Sequence, residues 1–155
     1  MSKIKVIQGG VVCDDRGSLR FVNDFDPVTA GVRRFYQVQN IRSGYIRAWH
    51  GHLKEGKYVY VPQGSALIAA VQMKFNDVGF IVSDYYLSNE VQKWTLSSES
   101  PKVLYIPPGY ANGFKTLTDD AILMFFSTST LEQSKGDDIR FDYNILPNVW
   151  DEDFR

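Results

Sequence analysis

Short runs of β-branched and aromatic residues, closed off by glycine, proline, asparagine or aspartate, recur along this chain, and no stretch carries the 3.6-residue apolar period of a long helix. The runs predict strands over residues 18–22, 32–38, 45–49, 57–61, 66–73, 80–86, 91–96, 103–106 and 122–127, with one helical turn within 131–138. Asp14-Asp15-Arg16-Gly17 and Pro62-Gln63-Gly64 are turn signals between them. Over 57–61 the pattern alternates, with Lys57, Val59 and Val61 on one face and Tyr58 and Tyr60 on the other. Aromatic residues make up 14% of the chain, which suits pleated, half-buried surfaces. Many short strands at this spacing predict an all-β, jelly-roll type barrel, and 155 residues without linker or repeat predict one domain over 1–155. Residues 142–155 look irregular, but Trp150 and Phe154 are expected to pack.

Charge and cysteine usage narrow the function. A net charge of -1 gives no basic excess for nucleic acid or a membrane surface, so neither partner is expected. Cys13 is the one cysteine, which excludes an internal disulfide and fits a reducing compartment. The first residues hold no apolar run of signal-peptide length, and no stretch reaches a membrane span. A cytoplasmic location is therefore expected.

Chemistry concentrates in two segments. The first, Arg47-Ala48-Trp49-His50-Gly51-His52, leads to Lys57 and contains both histidines of the chain. On a strand His50 and His52 point the same way, the spacing of a barrel metal site. The second is Ile106-Pro107-Pro108-Gly109-Tyr110-Ala111-Asn112-Gly113-Phe114. Together they resemble the two motifs of the cupin superfamily, with Gly44, His50 and His52 matching Gly-x5-His-x-His and Pro107 and Gly109 matching Pro-x-Gly. A metal-binding cupin would need a carboxylate where Gly56 and Lys57 stand, and a third histidine where Asn112 stands; Glu55 is too close to the second histidine. An ammonium opposes a cation and a neutral amide is a weak ligand, so no metal is expected.

The same lysine suits cofactor-free chemistry. Removing a proton beside a ketone leaves charge on the ketone oxygen, which a fixed ammonium stabilises as it forms. A histidine is the natural base for that proton. His50 as base and Lys57 as enolate clamp form a coherent pair.

These residues, with Asp15-Arg16-Gly17-Ser18 and Trp150, resemble the dTDP-4-dehydrorhamnose 3,5-epimerase family over nearly the whole chain. The resemblance implies a cofactor-free cupin barrel, a homodimer, that epimerises a nucleotide-diphospho-4-keto-6-deoxyhexose. It places the chain in deoxysugar biosynthesis for cell-surface polysaccharide such as the O-antigen of lipopolysaccharide. By position it makes His50 the base and Lys57 the enolate-stabilising group. Arg16 and Arg47 then hold the diphosphate, a task that suits the guanidinium fork. Asp142 is the candidate for the acid that orients the histidine. His52, Asn112, Tyr36 and Tyr110 are candidate substrate contacts, one of the tyrosines stacking on the base.

Family members use a tyrosine after the last core strand to reprotonate the opposite sugar face. The stretch from Phe125 to Leu131 has none. That absence favours inversion at carbon 3 over inversion at carbons 3 and 5, with Tyr143 or water as donor. The sugar 3,4-ketoisomerases are similar too, through Arg47 to His52, Arg33-Arg34-Phe35-Tyr36 and Asp138-Ile139-Arg140, but carry glutamine where Lys57 stands. Plainer roles compete: Lys57 as a solvated strand start, Arg16 as a turn residue, and Asn112-Gly113 as a left-handed backbone position. A ketoisomerase, a non-catalytic sugar-binding cupin and a metal-dependent dioxygenase are the rival functions.

Overall fold

The computed structural model describes residues 2–75 and 85–152. Its strands are β1 (Lys5–Gln8), β2 (Gly10–Asp14), β3 (Gly17–Phe21), β4 (Arg34–Gln39), β5 (Ile46–His52), β6 (Lys57–Gln63), β7 (Ser65–Phe75), β8 (Tyr85–Ser97), β9 (Lys102–Ile106), β10 (Tyr110–Thr116), β11 (Ile122–Ser127) and β12 (Ile139–Arg140). The short helix α1 (Leu131–Lys135) precedes β12 and opens on a capping box in which Thr130 and Gln133 satisfy each other's backbone amides.

The strands form two five-stranded sheets, ordered β1-β9-β6-β11-β4 and β12-β5-β10-β7-β8, and a separate β2-β3 hairpin. From β4 onward the chain passes from one sheet to the other at almost every connection, which is jelly-roll organisation. Alternation along each strand explains how the sheets face each other. Val59 and Val61 of β6, Leu104 of β9 and Leu123 and Phe125 of β11 meet Ile68 and Ala70 of β7, Leu96 of β8 and Phe114 of β10 in one buried cluster. Leu104 and Leu123 are completely buried, so truncating either to alanine is expected to cost about 2–5 kcal/mol.

The other face of the second sheet carries its own cluster. Trp49, Val71, Met73 and Ala111 are covered there by Val149 and Trp150, with the two indole rings 5.2 Å apart. The C-terminal segment packs through Trp150, as its composition suggested; Phe154 lies outside the described residues.

Several boundaries differ from the sequence reading. The two strands expected at 80–86 and 91–96 join in one long strand, β8, whose pairing with β7 shifts register between Val71 and Met73. Residues 80–84 of that expectation lie outside the described residues. The segment from Tyr110 to Thr116 is a central strand, paired on both sides, because its small and aromatic residues fit a fully covered sheet position. Asn112 and Gly113 therefore do not supply a left-handed turn; Gly109, at φ +90°, does. Among the described residues, no helix is long and apolar enough to cross a membrane.

Candidate active site

At one end of the barrel, between the sheets, lies a cavity of about 320 Å³, within the usual size of small-ligand sites. Strand β5 supplies most of its chemistry. Odd and even positions separate there: Trp49 and Gly51 face the outer cluster, whereas His50 and His52 line the cavity. Gly51 is required by that outer packing, since a Cβ would sit 2.3 Å from the Met73 sulfur.

Simple alternation would turn Arg47 away from His50. A register shift opposite Asn112 and Phe114 changes this, pairing Asn112 with His50 and Phe114 with Arg47. The irregularity brings Arg47 to the cavity beside the two histidines. Gly113 sits at the same place, where a Cβ would lie 2.5 Å from the Ala48 Cβ and 3.0 Å from the Arg47 carbonyl oxygen. Arg47 Nε donates to Asn40 Oδ1 at 2.8 Å, and Asn112 Nδ2 donates to the His50 carbonyl oxygen at 3.1 Å.

The opposite sheet contributes Lys57 from β6 and Arg34 and Tyr36 from β4. Lys57 is 6% exposed, and among the described residues no carboxylate lies within ion-pair distance of it. It continues the inward face of Val59 and Val61, as the alternation over 57–61 requires. Tyr36 stacks on Phe125, with ring centroids 5.1 Å apart, and carries the Arg34 guanidinium over its ring at 4.9 Å. Arg140 of β12, paired opposite His50, and Lys135 of α1 complete the basic lining.

Five cationic side chains, Arg34, Arg47, Lys57, Lys135 and Arg140, thus line the cavity against one carboxylate, Asp138. A chain of net charge -1 has concentrated its positive charge where a ligand would sit. The titrating groups respond. His50 is pushed down to about 4, first by burial and then by Arg140 and Lys57, so it is neutral at pH 7. Burial also lowers the Lys57 ammonium and raises the Tyr36 phenol.

Four candidates from the sequence lie elsewhere. Asp142 is exposed and caps a short 3-10 turn (Tyr143–Ile145), accepting from the Asn144 amide at 2.8 Å, so it orients neither histidine. Arg16 sits at the tip of the β2-β3 hairpin, exposed and paired with Asp14. Tyr110 pairs with His52 across the ladder but packs its ring against the core. Tyr143 is also exposed, away from the cavity. Sequence reasoning named Arg34 and Arg140 only within longer motifs and gave them no role; they reach the site through strand pairing with distant segments.

The donor set does not fit a divalent cation. Lys57 and Asn112 stand beside the histidines, and among the described residues no group of three or more histidine, cysteine or acidic side chains is placed to hold a metal.

Residues 1–153 match the sequence profile of dTDP-4-dehydrorhamnose 3,5-epimerase. The spore coat polysaccharide biosynthesis protein SpsL of Bacillus subtilis strain 168 is 24% identical over 115 residues, 72% of this chain and 71% of that protein. The crystal structure of dTDP-4-dehydrorhamnose 3,5-epimerase from Sulfolobus tokodaii is 27% identical, with a TM-score of 0.70 over 91% of this chain and 78% of that one. ChmJ, a 3'-monoepimerase from Streptomyces bikiniensis solved with dTDP-quinovose, shares the fold at 17% identity, with a TM-score of 0.73 over 94% and 72% of the two chains. With its jelly-roll fold and a match spanning nearly its whole length, the chain belongs to the dTDP-4-dehydrorhamnose 3,5-epimerase family of isomerases.

Proposed function

We propose that this protein epimerises a nucleotide-diphospho-4-keto-6-deoxyhexose at carbon 3, without metal or organic cofactor, to supply a deoxysugar for cell-surface polysaccharide. The observation that carries the reading is a buried ammonium, Lys57, which among the described residues has no carboxylate within ion-pair distance, in a cavity that also presents the neutral imidazole of His50. A ground-state protein gains nothing from such a charge, whereas an enolate oxygen would be stabilised by it. Relatives and structural neighbours whose names specify dTDP-sugars support the substrate class.

In this reading His50 takes the carbon 3 proton, and the electron pair moves onto the ketone oxygen beside Lys57. Reprotonation from the other face inverts the centre. Tyr36 supports that step better than Tyr143 does: it lines the cavity from the sheet opposite β5, and its raised phenol keeps its proton at neutral pH. The cycle leaves imidazolium and phenolate, each disfavoured in this setting, and solvent exchange restores both. Arg47, Lys135 and Arg140 suit the diphosphate. With no tyrosine from Phe125 to Leu131, exchange at carbon 5 is expected to be slow or absent.

Proton NMR of dTDP-4-keto-6-deoxyglucose incubated with the protein in deuterium oxide tests this. Deuterium at carbon 3 with inverted product supports the proposal, and equal exchange at carbons 3 and 5 removes the single-centre claim. A product with its carbonyl moved to carbon 3 would identify a ketoisomerase instead. Absence of turnover with dTDP-, GDP- and CDP-linked 4-keto sugars would leave a binding protein.

A further inference from the structure

Glu55 lies in the turn between β5 and β6, with its carboxylate wholly buried. A buried carboxylate is costly unless its lone pairs are taken up. Here they are: Ser127 Oγ donates to Oε1, Ser134 Oγ donates to Oε2 at 2.7 Å, and Arg34 Nη2 donates to Oε1 at 3.3 Å. The fourth neighbour is His52, whose Nδ1 lies 3.2 Å from Oε2.

The same nitrogen lies 2.7 Å from the Asp137 carbonyl oxygen. Asp137 is fixed in turn, its carboxylate accepting from the amides of Leu53, Lys54 and Glu55 at 2.9, 2.8 and 3.0 Å. A carbonyl and a carboxylate can only accept, so Nδ1 must carry the proton. His52 lines the cavity, while Asp137 and Glu55 do not. The ring therefore turns its protonated edge inward to the protein and offers the lone pair of Nε2 to the cavity.

We propose that Glu55 is a positioning residue that, with the Asp137 carbonyl, holds His52 in its Nδ1–H form and thereby makes Nε2 a hydrogen-bond acceptor for a ligand hydroxyl in the cavity, beside His50. A hydroxyl that donates to Nε2 draws the ring toward imidazolium character, which a fixed carboxylate 3.2 Å from Nδ1 supports. His50 has Asp138 as its acidic influence but stands nearer to Arg140 and Lys57 in effect, so the two histidines are unequal partners. Burial and then Lys57 hold the His52 imidazolium below its ordinary range, against Glu55 and Asp137, which favour it. The assignment of a sugar hydroxyl as the donor rests on the epimerase reading; the tautomer and the role of Glu55 do not.

Long-range proton–nitrogen NMR of the free protein provides the test, because the chain has 2 histidines and His50→Gln leaves only His52. Native His52 is expected as the Nδ1–H tautomer at neutral pH. In Glu55→Gln its titration midpoint should fall by on the order of one pH unit, and kcat/KM should fall about 10-fold. A purely structural Glu55 would lower the melting temperature without moving that midpoint. A native Nε2–H tautomer, or an unchanged midpoint in folded Glu55→Gln, overturns the proposal. If Glu55→Gln does not fold, Ser134→Ala decides: releasing one donor should raise the His52 midpoint, and an unmoved midpoint overturns the assignment. These spectra need no substrate, so a failed epimerase assay would leave their result intact.

Discussion

His50 and Lys57 reach one cavity from opposite sheets, and burial pushes both toward their neutral forms. The consequences for activity differ. His50, near 4, is already a free base at pH 7, so kcat/KM should hold down to about pH 5 and fall below it. Lys57 must keep its proton to stabilise an enolate, so activity should be lost on the alkaline side at a pH below the ordinary lysine range. His50→Ala should abolish exchange at carbon 3, and Lys57→Ala should slow it by about 10² to 10³, both read by NMR in deuterium oxide. Lys57→Met adds a stability test. Removing a buried charge that has no ion-pair partner among the described residues should stabilise the fold by on the order of 1 to 3 kcal/mol while turnover collapses, as thermal denaturation would show. Stability should also follow His50. Between pH 6.5 and about 4 the unfolded chain binds a proton that the folded chain does not, so stability present above 6.5 is lost as pH falls toward 4. His50→Gln should reduce that slope and leave the part that His52, also lowered by burial, contributes.

At the scale of elements, β5 and β10 form the hinge of the site. Their register shift brings Arg47 round to join His50, and Gly113 leaves room for Ala48 and the Arg47 carbonyl. Gly113→Ala should therefore cost about 1–3 kcal/mol in denaturant unfolding and weaken nucleotide binding, because Arg47 moves with the backbone. Much of this was legible in the sequence, since the alternation of Lys57, Val59 and Val61 fixes an inward lysine whatever the topology. His50, His52 and Lys57 are joined by the short connection of residues 53–56, which carries the chain from one sheet to the facing one. What stayed hidden depends on pairing between distant segments: Arg140 reaches His50 through β12, Arg34 reaches the cavity through β4, and Ser134 reaches Glu55 from α1. Asp142 misled for a related reason. An aspartate before a short aromatic stretch reads as a site residue or as a helix cap, and only the fold shows that it caps.

At the scale of the molecule, the β2-β3 hairpin stands apart. It pairs with neither five-stranded sheet, and Val12 and Leu19 are 56% and 65% exposed. Strands β1 and β4 end the first sheet with free backbone donors and acceptors, the feature that lets a neighbouring chain add strands. An isolated two-stranded ribbon is marginal in water, so a hairpin with exposed apolar residues, in a fold with open sheet edges, argues for burial against a second copy. The protein is expected to be a homodimer, with this hairpin in the interface. Analytical ultracentrifugation at micromolar concentration should show a single species of twice the chain mass. Leu19→Glu, which places a charge in the middle of the exposed apolar strip, should shift that species toward monomer without unfolding the barrel, because Leu19 belongs to neither buried cluster. A native monomer at that concentration, or a Leu19→Glu protein that remains fully dimeric, would remove the hairpin from the interface.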